Sequence, residues 1–265
     1  MKPVQLETVD LCIAALLVLL DAGISVLLGL RVHRQILWSA LRMTVQLLLI
    51  GFVLRIVFAW GSPPATFGVV LLMLAATARE VAARPAQRLR GAANYRIGAA
   101  VVGVASVVTV LVALLTAIRP SPWYDPHYVI PLIGIVLGSV LNAASLGLDT
   151  FFGGAVKERA AIEARLALGA TRSQALNPLM RDAIRKGMIP IVNQMSAAGI
   201  ITLPGTMTGQ LLAGVDPVSA VKYQILLMFL LAGASGLAAV GAVYLAARSV
   251  TDERHRLRLD RLVRE

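Results

Sequence analysis

From Ile97 to Ile118 the chain carries no charged side chain. At a helical rise of about 1.5 Å per residue, that run is long enough to cross the roughly 30 Å of hydrocarbon in a bilayer. Lipid leaves every backbone N–H and C=O to be satisfied within the protein, so such a run is read as a transmembrane helix. Leu6–Ile24 (extending toward Leu30), Ile36–Trp60, Ala65–Ala78, His127–Phe151, Met188–Gly214 and Val218–Ala247 repeat the pattern, which gives about seven spans. With 58% hydrophobic and 15% charged residues in 265, the chain is a poor match to a soluble domain. The expected fold is an all-α polytopic transmembrane helical bundle, residues 1–265 forming one transmembrane domain.

The net charge of +11 would point to nucleic acid in a soluble protein. Here the basic residues fall in alternate loops. Arg31–Arg34, Arg79–Arg96, Lys157–Lys186 and Arg248–Arg264 hold two, five, seven and six of them, twenty of the 25 lysines and arginines. The opposite side holds Lys2, Arg119 and Lys222, with Arg55 near its interface. Positive charge marks the cytoplasmic side, so the N-terminus lies outside and the C-terminus inside, and no nucleic-acid partner is implied. Met1–Asp10 sets one lysine against Glu7 and Asp10, the wrong balance for a signal peptide. Ser25–Gln35, with its basic turn, is a candidate to lie along the membrane surface.

Several chemistries have no motif to carry them. There is no Gly-x-x-x-x-Gly-Lys-Ser/Thr phosphate loop, no His-Glu-x-x-His and no Gly-x-Ser-x-Gly. The single Cys12 leaves no internal disulfide framework and no cysteine metal cage. His33, His127 and His255 all fall at expected loops or interfaces. The chain is therefore expected to be no enzyme, with no ATPase site and no metal centre of its own.

Residues 155–187 form the longest interval without a membrane-length apolar run. Ala160, Ala164 and Leu168, with Ile162 and Leu166, recur at helical spacing between charges, which predicts an amphipathic helix. Gly169 ends it, and Thr171 caps a second helix while Gln174 reaches back to it. Asn177-Pro178 is either a kink or a fresh N-cap with proline at the first helical position. A charged helix–turn–helix between two spans is a shape that a soluble partner grips. The basic tail, residues 248–265, carries leucines at Leu257 and Leu259 and a valine at Val263.

Polar residues inside the spans admit two readings. Gly134, Gly138 and Asn142 lie four apart, with Ser145 and Asp149 close to the same stripe. Such a stripe lets a neighbouring helix approach closely, or it faces a translocation path. Asn193, Gln194 and Ser196 precede a break at Leu203-Pro204-Gly205, either a proline kink or an unwound segment lining a cavity. Arg42 and Gln46 share a face of the second span. A buried arginine needs a counter-charge, and Asp21 is the acid expected to supply it.

A resemblance is carried by several of these segments together. Ile36-Leu-Trp-Ser-x5-Val-Gln46, Asn142-x6-Asp149, Glu163-Ala-x-Leu-x-Leu-Gly-Ala-Thr171 and Arg181-Asp-x-Ile-Arg185 are four of them. Ile189-Pro190, Leu203-Pro-Gly-x-Met-x-Gly209, Ala213-Gly-Val-Asp-Pro217 and Ala220-Val-Lys-Tyr-Gln224 complete the set. In order along the chain after Ile36, they resemble the FetB-type permease family. Members resemble the membrane subunit of an ABC transporter linked to iron export in bacteria. Plant relatives are associated with aluminium tolerance and nucleotide-sugar transport.

The resemblance implies a permease half in the bacterial inner membrane, a homodimer in the lipid bilayer, and two ATPase subunits on its cytoplasmic face. No cofactor is expected in this chain, with ATP and magnesium on the partner subunit. ABC importers dock their ATPase through a Glu-Ala-Ala-x3-Gly motif, and Glu163-Ala-Arg-x3-Gly169 is similar to it. Arg181 and Asp182 stand where that motif would continue with Leu-Pro, and Pro190 comes eight residues later. Glu163, Ala164, Leu168, Gly169, Ala170 and Thr171 are thus the expected ATPase-coupling residues. Arg42, Gln46, Asn142, Asp149, Asn193, Gln194, Pro204 and Gly205 are the expected translocation path. The alternatives are a secondary carrier or channel using Asp21 or Asp149 for coupling protons or ions, an ABC permease for an organic anion or nucleotide sugar, and a membrane scaffold.

Overall fold

The structure is a computed structural model, and it describes residues 7–252 and 256–264. Lys2, Leu6 and His255 lie outside the described residues. Among the described residues nine α-helices follow in order: α1 (Thr8–Leu27), α2 (His33–Trp60), α3 (Pro63–Ala83), α4 (Ala93–Val112), α5 (Pro126–Lys157), α6 (Arg159–Ala167), α7 (Arg172–Ala197), α8 (Gly205–Leu212) and α9 (Pro217–Ser249). A π turn, Ala113–Ile118, carries α4 on to the end of its apolar run. Two short strands, β1 (Gln87–Leu89) and β2 (Leu262–Arg264), pair antiparallel.

Among the described residues six helices are long and apolar enough to cross a membrane: α1, α2, α3, α4 with its π turn, α5 and α9. The chain is therefore a helical, multi-pass membrane protein. The difference from about seven spans has a compositional cause. The expected sixth span begins at Met188, but the helix that holds Met188 begins at Arg172, and α7 carries Arg172, Arg181, Asp182, Arg185 and Lys186 before it reaches that residue. The second arm of the charged hairpin and the start of that span are one helix. Neither Pro178 nor Pro190 breaks it, so Asn177-Pro178 starts no new helix. The break falls after Ala197, and residues 198–204 are non-helical before the short α8.

The chain forms two compact units. In the first, α1 packs along α2, joined by a turn in which the Val32 N–H donates to Ser25 Oγ at 3.1 Å. That turn replaces the surface segment expected over Ser25–Gln35, since Gly29 and Arg31 take left-handed backbone there. Asp21 is exposed on α1 and has no hydrogen-bond or ion-pair partner among the described residues, so the expected Arg42–Asp21 pair does not form.

In the second unit α5 is central, packed against α3, α4, α7 and α9. It runs antiparallel to α7, and small residues set the spacing. A Cβ on Gly187 would stand 2.7 Å from the Ala143 carbonyl oxygen and 3.1 Å from Ala239 Cβ. Gly147 lies beside Val243 and Ala183 with room for ordinary contact, a Cβ there standing 3.4 Å and 3.7 Å from them. Close backbone approach of this kind is how helices gain packing energy where lipid supplies no hydrophobic drive. The expected Gly134–Gly138 stripe is not this contact. Gly134 meets only Met73, and Gly138 faces open space.

At 32 residues α5 is about 48 Å long, longer than the hydrocarbon is thick. Its basic end therefore projects beyond the apolar layer. There Phe151, Phe152, Ala155, Ile162, Ala175 and Leu176 are buried together, so the projecting part of α5, with α6 and the start of α7, has its own packed core.

Candidate functional site: a rigid corner and two polar regions

The corner between α6 and α7 is closed by local hydrogen bonds that its sequence dictates. Gly169 has φ +88°, the left-handed region that glycine enters without a Cβ penalty. Its N–H donates to the Leu166 carbonyl at 3.0 Å, and the Ala170 N–H to the Arg165 carbonyl at 3.1 Å, the paired bonds of a Schellman ending. Two residues on, the Thr171 N–H donates to Gln174 Oε1 at 2.9 Å, while the Gln174 N–H donates back to Thr171 Oγ1 at 3.4 Å. That reciprocal capping box starts α7. Arg165 Nη1 reaches across to the Ala175 carbonyl at 3.1 Å and ties the two arms together.

On this frame Ile162 is fully buried, whereas Leu168 is 89% exposed. Ala164, Gly169 and Thr171 are exposed and Ala170 is half-buried. Glu163 Oε1 accepts from Arg159 Nε at 2.8 Å, an exposed pair one helical turn apart. The six residues singled out for coupling therefore share one corner, and an apolar side chain stands at its tip.

The residues expected along a translocation path divide between two levels. At the inner level Asn142 and Asp149 are exposed on α5. Asn142 Oδ1 accepts from Arg84 Nη1 at 3.4 Å, and Asp149 Oδ1 accepts the Ala86 N–H at 2.9 Å. Both hold the α3–α4 connection, whose β1 strand pairs with the tail strand β2. Ser145, near the same stripe of the helix, is buried.

Gly187 lies against Ala143, so Asn193 and Gln194 stand six or seven residues farther along α7 than Asn142, about 10 Å toward its other end. Both are exposed. Beyond them the break shapes a pocket of about 540 Å³ lined by Pro204, Met195, Met207, Met228, Gln224 and Phe229 among others. Gly205, Asn193 and Gln194 are not part of its lining. Thr206 donates to the Gln224 side chain there. The surface at the break is thus less polar than the sequence suggests. Arg42 and Gln46 are exposed on α2 in the other unit.

Sequence reasoning missed a clasp formed by the tail. The tail folds back on the end of α9: the Arg258 N–H donates to the Val250 carbonyl at 2.7 Å, and the Arg90 N–H donates to the Arg261 carbonyl at 2.8 Å. Leu257, Leu259 and Leu262 pack against the core. Their near alternation with polar residues is the period of an extended segment with one buried face, and it was the available signal.

Residues 8–251 match the Uncharacterised protein family (UPF0014). The chain is 39% identical over 230 residues to the "UPF0014 membrane protein slr1647" of Synechocystis, covering 86% of this chain and 87% of that one. It is 33% identical over 249 residues to the "Probable iron export permease protein FetB" of Escherichia coli, covering 94% and 93%. With the "Protein ALUMINUM SENSITIVE 3" of Arabidopsis thaliana it shares 27% identity over 232 residues, covering 88% and 83%. No solved structure matches it. The six apolar helices and this match along nearly the whole chain place it as a multi-pass membrane protein of the UPF0014 family.

Proposed function

We propose that the chain is the membrane-spanning permease subunit of an ABC-type exporter in the bacterial inner membrane, working as a homodimer with a separate ATPase. The observation that carries this reading is the α6–α7 corner. A leucine left almost wholly exposed on a turn fixed by a Schellman ending and a capping box is poorly explained by solvent alone. It suits a docking point that must pass a push from a soluble partner into α5 and α7 without bending. Those two helices meet at Gly187 and Ala143 with no slack, so displacement at the corner moves the inner halves of both.

Export of iron, as ion or chelate, is the cargo reading, supported by the name of the E. coli relative. Against the secondary-carrier alternative, the Asp149 carboxylate is engaged by the Ala86 N–H, which gives it a structural use. The open face of α5 around Gly138 and Asn142 is the surface this reading assigns to the cargo path and the second copy.

Inside-out vesicles holding the chain and an ABC ATPase of the same organism test it. ATP-dependent uptake of iron, abolished in Asn142→Leu, supports the reading. Uptake driven by a proton gradient without ATP, at the same rate with or without the ATPase, refutes it.

A further inference from the structure

At the cytoplasmic end of α9, five guanidinium groups line one hollow of about 660 Å³: Arg172, Arg248, Arg256, Arg258 and Arg261. Among the described residues two carboxylates, Asp252 and Asp260, pair with arginines of this group. Arg256 pairs with Asp252 at 2.8 Å and Arg258 with Asp260 at 2.8 Å, while Arg261 spends Nη1 on the Ser249 carbonyl at 2.9 Å. Arg248 has no hydrogen-bond or ion-pair partner among the described residues. The convergence is built by the fold, because the clasp of the tail and its buried leucines hold the arginines over the end of α9. Like charges gathered this way favour an anion, and guanidinium matches phosphate with paired donors.

Two apolar grooves start from the same arginine. One, about 550 Å³, runs between α4 and α9 past Val104, Val240 and Tyr244 to Arg248. The other, about 230 Å³, lies between α7 and α9, where Leu176, Met180 and Tyr244 stand below Arg172 and Arg248. A free phosphate or a nucleotide has use for the basic hollow only. A basic hollow continuous with grooves along membrane-spanning helices fits a molecule with a charged head and long apolar chains.

We propose that this region is a binding site for an anionic phospholipid, its phosphate on Arg248 and Arg172 and an acyl chain in the α4–α9 groove. Juxtamembrane arginines and the anionic cytoplasmic leaflet attract one another. Arg172 opens α7 directly after Thr171, so the bound lipid joins the tail clasp to the corner. The site goes beyond the transport reading and does not depend on the cargo or on an ATPase.

The test uses the full chain, delipidated in detergent. Thermal unfolding is followed with added phosphatidylglycerol, phosphatidylcholine or inorganic phosphate. Phosphatidylglycerol raises the midpoint, and the other two do not. In Arg248→Gln the lipid concentration needed rises about tenfold or more, the scale of one charged hydrogen bond. Val240→Trp fills the groove and weakens the lipid effect with every arginine in place. Should Arg248→Gln fail to fold, native mass spectrometry of the wild-type chain decides: phosphatidylglycerol retained in preference to phosphatidylcholine supports the site, and no preference overturns it. Equal shifts with both lipids, or a shift unchanged in Arg248→Gln, also overturn it. A full shift with phosphate alone, unaffected by Val240→Trp, gives the hollow to a soluble phosphate compound. Loss of ATPase binding in Arg248→Gln with the lipid effect intact gives it to a protein partner; either result refutes the lipid site.

Discussion

Gly187 of α7 and Ala143 of α5 meet backbone to backbone, and a Cβ at Gly187 would stand 2.7 Å from the Ala143 carbonyl oxygen. A backbone atom cannot swing aside as a side chain does. Gly187→Val is therefore expected to force the helices apart at a cost of about 1–3 kcal/mol, and to lower the thermal midpoint in detergent. Gly233→Ala on α9, where an added Cβ meets nothing within 4 Å, serves as the control and does not lower the midpoint.

The corner offers a separation of folding from coupling. Glu163→Lys breaks only an exposed pair with Arg159, worth about 0–1 kcal/mol at most, so the protein stays folded. Transport is expected to fall to background. Gly169→Leu places a side chain at φ +88°, costs about 1–2 kcal/mol, and turns the tip of the corner. Wild-type transport by either variant at equal expression would remove the coupling role from this corner.

At Asp149 the two chemical readings part cleanly. An amide oxygen still accepts the Ala86 N–H, so Asp149→Asn is expected to keep both the loop and transport. Asp149→Ala removes the acceptor and should raise hydrogen exchange at Ala86. Transport abolished by Asp149→Asn, with Ala86 still protected, would instead give the carboxylate an ion-coupling role.

The tail clasp has a pH limit. Asp260 is held at about 2 against its ordinary 3.8, chiefly by its hydrogen bonds from Arg258. A depressed carboxyl contributes its stability above the unfolded value and loses it as pH falls through the folded one. The Arg258–Asp260 link therefore persists at neutral pH and is lost between about pH 4 and pH 2. A spin label at Val263, in a chain with Cys12→Ser, should gain mobility across that interval and not between pH 5 and pH 8.

How much of this was legible depended on range along the chain. Apolar runs declare spans by composition, and Gly169, Thr171 and Gln174 declare their corner because helix caps are local. The glycine that lets α5 and α7 touch was not legible. Which of Gly134, Gly138, Gly147 and Gly187 faces a neighbour depends on how each helix is rotated, and no single sequence states that. The pairing of β1 with β2 joins segments far apart in the chain. Asn142 and Asp149 therefore read as candidates for a path before the structure showed them holding Arg84 and Ala86. That α7 runs unbroken from Arg172 to Ala197 was not legible either, because Asn177-Pro178 also fits the start of a new helix.

The most direct measurement is capture of an ABC ATPase of the same organism by the tagged full chain, with and without nucleotide, comparing wild type with Leu168→Asp. Leu168 is almost fully exposed, so the change leaves the fold and its thermal midpoint intact. The expected result is nucleotide-dependent capture by the wild type and at least tenfold less by Leu168→Asp, on the scale of losing about 1.4 kcal/mol at the contact. Equal capture by both chains, or none by either when the ATPase is folded and in excess, would contradict docking at this corner.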